Sequence, residues 1–146
     1  MMEHLRFSVC IDASPEKIWK ILWSADTYTE WTKFFTEGSK IQSDWTVGGR
    51  TLFIDSHGDG LIATILVYLP NCSVIFQYQG LLQDGVEDLT SPEVQQWQGL
   101  LEQYSLEEVD GKTILSVELE TTEDYKYMME QAFEQGLQRV RELAEQ

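Results

Sequence analysis

The hydrophobic period of this chain changes in a way that leaves few folds open. Apolar side chains recur at every second position in six segments, 40–45, 50–56, 61–69, 73–79, 97–109 and 112–121, and from residue 122 onward they recur every three to four. A period of two marks strands and a period of 3.6 a helix. Gly48-Gly49, His57-Gly58-Asp59-Gly60, Pro70-Asn71 and Asp110-Gly111 separate most of these segments and are turn-forming combinations. Strands joined this tightly pair antiparallel. The resulting sheet has an apolar face to cover, and the final segment is the one helix long enough to cover it.

The residues before 40 add a strand and two helices. Leu5, Phe7, Val9 and Ile11 alternate with Arg6, Ser8 and Cys10, which predicts a half-buried strand over 5–11. Ser14-Pro15-Glu16 supplies a cap, a proline at the first helical position and an acid in the first turn of a helix over 15–23. Asp26 or Thr27 is expected to cap a second short helix that carries Tyr28, Trp31, Phe34 and Phe35 and ends before Gly38. The terminal helix starts after Thr121 or Thr122 and presents Tyr125, Met128, Met129, Ala132, Phe133, Leu137, Val140 and Leu143. Gly136 within that stripe costs about 1 kcal/mol against alanine, which predicts a close contact beneath it. The first strand is expected to pair with the last. The expected architecture is α+β, with about seven antiparallel strands in the order strand, two helices, six strands, long helix, and residues 1–146 as one domain.

Charge excludes some partners. The formal charge is −15, and residues 80–146 carry four basic against sixteen acidic side chains. Such a surface repels phosphate backbones and anionic headgroups, so neither nucleic acid nor a membrane is an expected partner. The uncharged run from residue 60 to 83 is broken by Pro70, Asn71, Gln77, Gln79 and Gly80, and its longest apolar piece, 61–69, is too short to span a bilayer. The N-terminus alternates and has no apolar signal core, so a cytoplasmic location is expected. Cys10 and Cys72 form no Cys-x-x-Cys and are expected as reduced thiols.

Several short pieces, in this order, resemble a known family. They are residues 11–19 (Ile-Asp-Ala-Ser-Pro-Glu-Lys-Ile-Trp), Trp31, Gly48-Gly49, Gly60, Pro70, the hairpin Tyr104-Ser105-Leu106 to Gly111-Lys112-Thr113, and Phe133 with Gly136-Leu137. Together they resemble the START-like or SRPBCC superfamily, and within it the family similar to the activator of heat-shock-protein ATPase. Members often carry Gly-Trp where this chain has Gly136-Leu137. The resemblance implies a helix-grip fold, a curved sheet wrapped around the terminal helix, with a hydrophobic cavity between them that holds apolar molecules in related groups. It carries over no catalytic residue set and no cofactor.

Alternation places Phe7 and Val9, Leu52 and Ile54, Val74, Phe76 and Tyr78, Tyr104 and Leu106, and Leu115, Val117 and Leu119 on inward faces, opposite Met129, Phe133 and Leu137. The expected cavity residues are Trp31, Ile54, Phe76, Tyr78, Glu102, Tyr104, Val117, Met129 and Phe133. The same side chains fill ordinary cores, and alternation alone does not separate a filled core from a lined pocket. Glu102 shares its face with Tyr104 and Leu106, so it points inward and its pKa rises, unless a bulge at Gly99 turns it outward or it lies at a solvated rim. It is the single candidate acid or base. His57 with Asp55 and Asp59 forms a turn rather than a metal site, and no metal is expected. No hydrolase elbow, phosphate loop, zinc or dinucleotide motif occurs.

The acidic segment 80–96 reads as a lid over the cavity mouth, a partner-facing surface or a plain loop. The leading expectation is non-enzymatic binding of an apolar, aromatic or lipid-like small molecule. A cyclase, aromatase or hydrolase using Glu102 is the first alternative. A chaperone-activator-like module that meets a basic protein partner is the second. Exposed strand edges also allow a homodimer.

Overall fold

The structure, a computed structural model, describes residues 2–146. The chain runs β1 (Met2–Ile11), α1 (Pro15–Trp23), α2 (Ala25–Thr32), β2 (Lys40–Ser43), β3 (Arg50–Ile54), β4 (Gly60–Leu69), β5 (Ser73–Gln83), β6 (Val86–Asp88), α3 (Pro92–Gln95), β7 (Leu101–Val109), β8 (Lys112–Thr122) and α4 (Glu123–Ala144). The strands form one open, curved sheet in the order β1-β8-β7-β5-β4-β3-β2, with β6 added to β5 and every pairing antiparallel. The first strand does pair with the last, from Met2 opposite Thr122 to Ile11 opposite Thr113. With α4 packed against β1, β8 and α2, this is the α+β helix-grip architecture.

Local chemistry explains most boundaries. The Ser14 hydroxyl accepts from the Lys17 amide at 3.2 Å and caps α1 ahead of Pro15. Asn71 at φ 66° follows Pro70, and the Cys72 amide reaches the Leu69 carbonyl at 2.9 Å, the arrangement of a type II turn. Asp110 and Gly111 both have positive φ, 52° and 80°, which suits the right-handed twist of the β7–β8 hairpin.

Several boundaries depart from the sequence reading, among them α2, which ends at Thr32 so that Phe34 and Phe35 lie in the turn beyond it. The cap of α2 is Ser24, while the Thr27 hydroxyl donates to the Ile21 carbonyl at 2.7 Å. The segment expected as a strand over 40–45 stops at Ser43, because Trp45 takes a left-handed backbone, φ 55°, and swings its ring against Trp23 and Tyr68. The strand expected from 97 starts at Leu101. Gly99 and Leu100 together oppose Tyr78, with Gly99 N to Tyr78 O at 2.8 Å and Tyr78 N to Leu100 O at 2.9 Å, which is a glycine bulge at φ 91°. The acidic segment 80–96 is largely regular, since β5 continues to Gln83, Asp84-Gly85 turns into β6, and Pro92 opens α3 behind the Ser91 cap. This hairpin arm supplies the eighth strand.

The interior lies between the sheet and the helices. Ile11, Ile18, Leu22, Ile65, Val74, Phe76, Leu115, Val117 and Val140 are all fully buried there. The Trp31 indole donates to the Leu22 carbonyl at 3.1 Å and ties α2 to α1. A Cβ placed on Gly136 would lie 2.7 Å from the Trp31 carbonyl oxygen, so glycine is what lets α4 approach α2. Among the described residues no helix is long and apolar enough to cross a membrane. Cys10 and Cys72 are exposed and unpaired.

Candidate functional site

Short α2, the start of α4 and the strands β3, β4, β5 and β7 do not meet completely. A cavity of about 310 Å³ remains between them. Tyr28, Trp31 and Phe35 border it from α2 and the turn beyond, Phe133 and Met129 from α4, and Phe53 and Leu61 from the sheet. It reaches the surface past Thr36, Lys40 and Met128, which are exposed.

Of the residues singled out from the sequence, Trp31, Ile54, Tyr78, Glu102, Tyr104, Met129 and Phe133 border this cavity. Phe76 and Val117 do not. Both are fully buried in the packed interior, Phe76 against the rings of Phe53 and Trp23. On β3 the inward pair is Thr51 and Phe53, not Leu52 and Ile54, and Ile54 borders the cavity only where the strand ends. Four apolar or β-branched residues in a row, Thr51 to Ile54, left that register unspecified. Tyr28, Phe35 and Phe53 are cavity residues that alternation along strands missed. For Tyr28 the signal was its spacing of three from Trp31 on one helical face.

Glu102 is the polar focus. It is 7% exposed, and on either side of it in the sheet stand Phe76 and Leu119. The bulge at Gly99 exists but lies upstream, and β7 resumes regular pairing at Leu101, so Glu102 keeps the inward direction of Tyr104 and Leu106. The Tyr104 hydroxyl donates to one carboxylate oxygen at 2.6 Å and the Tyr78 hydroxyl donates to the other. Burial pushes the Glu102 carboxyl above the usual carboxylate range, and the two tyrosine hydroxyls only partly pull it back. Burial and then the Glu102 charge push the phenols of Tyr28, Tyr78 and Tyr104 up. A carboxylate in this setting can take a proton from a bound molecule, return one, or pair with a positive group.

The remaining candidates resolve into local structure. One oxygen of Asp55 accepts from the amides of His57 at 2.8 Å and Asp59 at 3.1 Å, which closes the β3–β4 turn, and the His57 ring stands in solvent. No residue of 80–96 borders the cavity, so this segment is not its lid. Instead it folds back on the chain, through Arg50 with Glu87 at 2.6 Å and the Asp84 amide with Asp59 at 2.9 Å.

Comparison with known proteins agrees with this architecture. The aligned solved structures include the Aha1 dimer of Colwellia psychrerythraea, 23% identical over 98% of this chain and 96% of the other, with a TM-score of 0.73. They also include CalU16 of Micromonospora echinospora, 15% identical over 97% and 65% of the two chains, TM-score 0.68. A third is DynU16, encoded in the dynemicin biosynthetic locus, 14% identical over 95% of this chain and 46% of the other, TM-score 0.68. No curated protein sequence matches significantly. The family described as activator of Hsp90 ATPase homolog 1-like protein matches over residues 12–143, nearly the whole chain. The chain therefore belongs to the activator of Hsp90 ATPase homolog 1-like family, within the START-like superfamily.

Proposed function

We propose that this chain binds an apolar or aromatic small molecule in the cavity between α2, the sheet and α4, without transforming it. The observation that carries this reading is the make-up of the cavity wall, in which Tyr28, Trp31, Phe35, Phe53 and Phe133 surround a single buried carboxylate, Glu102. Binding sites for small molecules are built this way, largely apolar with a few polar groups that orient the guest. At about 310 Å³ the space suits a compact guest of one or two rings. A like fold encoded in the dynemicin biosynthetic locus supports a role in handling small molecules. Thermal-shift and native mass-spectrometric screening of compact aromatic compounds should find ligands that raise the melting temperature and that Trp31→Ala weakens. A protein that retains none of such a panel ends this reading.

A second reading, proton-transfer catalysis, draws on Glu102 alone. It faces the cavity and burial raises its pKa, the combination a general base or acid needs. Turnover of a bound compound that Glu102→Gln abolishes without weakening binding would favour it. Binding without turnover leaves the first.

A further inference from the structure

Resting on the reading of this cavity as a ligand site, we propose that it selects a protonated aromatic or alkyl amine, with Glu102 as the carboxylate that receives the ammonium group. Both Glu102 oxygens accept hydrogen bonds only from neutral phenols, those of Tyr78 and Tyr104. Among the described residues Arg6, Arg50, His57, Lys126, Arg139 and Arg141 pair with acids elsewhere, and no Lys, Arg or His side chain pairs with Glu102. A buried carboxylate with two neutral donors and no countercharge is costly, and a bound cation would relieve that cost. Each ionised oxygen keeps an acceptor site beyond the one its tyrosine fills. Tyr28 borders the same space and its hydroxyl has no hydrogen-bond partner among the described residues, so it can accept from the same ammonium.

Two further features favour a cation over other guests. Trp31, Phe35, Phe53 and Phe133 are ring walls, and a cation over a ring face is attracted by its quadrupole. At the mouth Asp55 and Asp59 outnumber Lys40, and the chain as a whole carries −15, so the field leads positive molecules inward. An anionic guest would meet Glu102, with Lys40 at the mouth as the one cationic side chain bordering the cavity among the described residues. A neutral apolar guest would leave the carboxylate uncompensated.

Phenethylamine, phenethyl alcohol and hydrocinnamate share a ring and a size and differ in the charge of the head group. Calorimetric titration of the full chain with each, at neutral pH, tests the inference. Phenethylamine should bind about tenfold or more tightly than phenethyl alcohol, and hydrocinnamate should not bind. Glu102→Gln should remove the preference for the amine over the alcohol. Amine and alcohol binding equally, or a preference for the amine that survives Glu102→Gln, overturns the inference and leaves the broader binding reading standing. If a neutral aromatic compound binds and phenethylamine does not, the inference alone fails. If nothing binds, both fail. The three-probe comparison on the unmodified protein decides the matter even where the variant folds poorly.

Discussion

The interior of this protein has a filled half and a hollow half, built from the same kinds of residue. In the filled half α1 lies against the sheet, and rings close on one another. Trp23 is in contact distance of Trp19, Trp45, Phe76 and Tyr104, the last with centroids 4.9 Å apart. In the hollow half α2 ends early at Thr32, and Tyr28, Phe35, Phe53 and Phe133 stand around a space they do not fill. The difference lies in where the backbone elements stop and not in how apolar the residues are. A cavity left by element ends is kept open by the scaffold, and its single polar group then governs what enters it.

The largest expected effect belongs to the filled half. Leu115→Ala removes a fully buried side chain and should cost about 2–5 kcal/mol in urea unfolding, since packed neighbours relax only partly. A loss below about 1 kcal/mol would mean that this half is looser than the contacts indicate. Enlargement sharpens the contrast. Ala63→Leu, at a fully buried position away from the cavity, should cost about 1–3 kcal/mol, whereas Met129→Phe, on the cavity wall, should change stability by less than about 1 kcal/mol. Equal penalties would show that the hollow half is closed in solution.

Gly136→Ala tests what holds α4 over both halves. Helix propensity alone favours alanine by about 1 kcal/mol, but the Cβ would sit 2.7 Å from the Trp31 carbonyl, so a net loss of about 1–2 kcal/mol is expected by chemical denaturation. A gain in stability would show that α2 can move away freely.

The smallest effect concerns Glu102 and depends on pH. Its folded pKa is raised above about 4.5, so the folded state holds the proton longer than the unfolded chain does. Stability is then highest below that value and falls as pH rises through the folded pKa. Glu102→Gln removes the titration and should flatten this part of the curve, leaving the variant more stable than the parent above it by on the order of 1 kcal/mol. Unfolding midpoints measured across this range that run parallel for both proteins would remove the argument for an uncompensated charge.

Much of the fold is legible in the sequence because period and punctuation agree. Ser14-Pro15, Pro70-Asn71 and Asp110-Gly111 each sit where the chain caps or turns, and the α4 stripe from Ala132 to Val140 is buried as its spacing requires, whereas Tyr125 and Met128 at its start are exposed. The candidate site was legible on β5 and β7, where Tyr78 and Tyr104 each stand between polar neighbours and Glu102 is two residues from Tyr104. It was not legible on β3, where unbroken apolar residues carry no period, nor in segment 80–96, where the Asp84-Gly85 turn makes a hairpin from residues without a strong strand pattern.

The sequence by itself determined most of the strand and helix order and the antiparallel sheet with its covering helix, because these follow from local periodicity and turn chemistry, and it left the direction of the Glu102 carboxylate open between inward, turned outward at a Gly99 bulge and solvated at the rim. Only the tertiary structure decided that the helices leave a cavity beside that carboxylate, that Tyr78 and Tyr104 both donate to it, and that Phe76 and Val117 pack in the core instead. Those outcomes depend on how far apart elements distant in the chain come to rest. That separation is set by long-range contacts such as Gly136 against Trp31 and by the ends of α2 and β3, which no local pattern encodes.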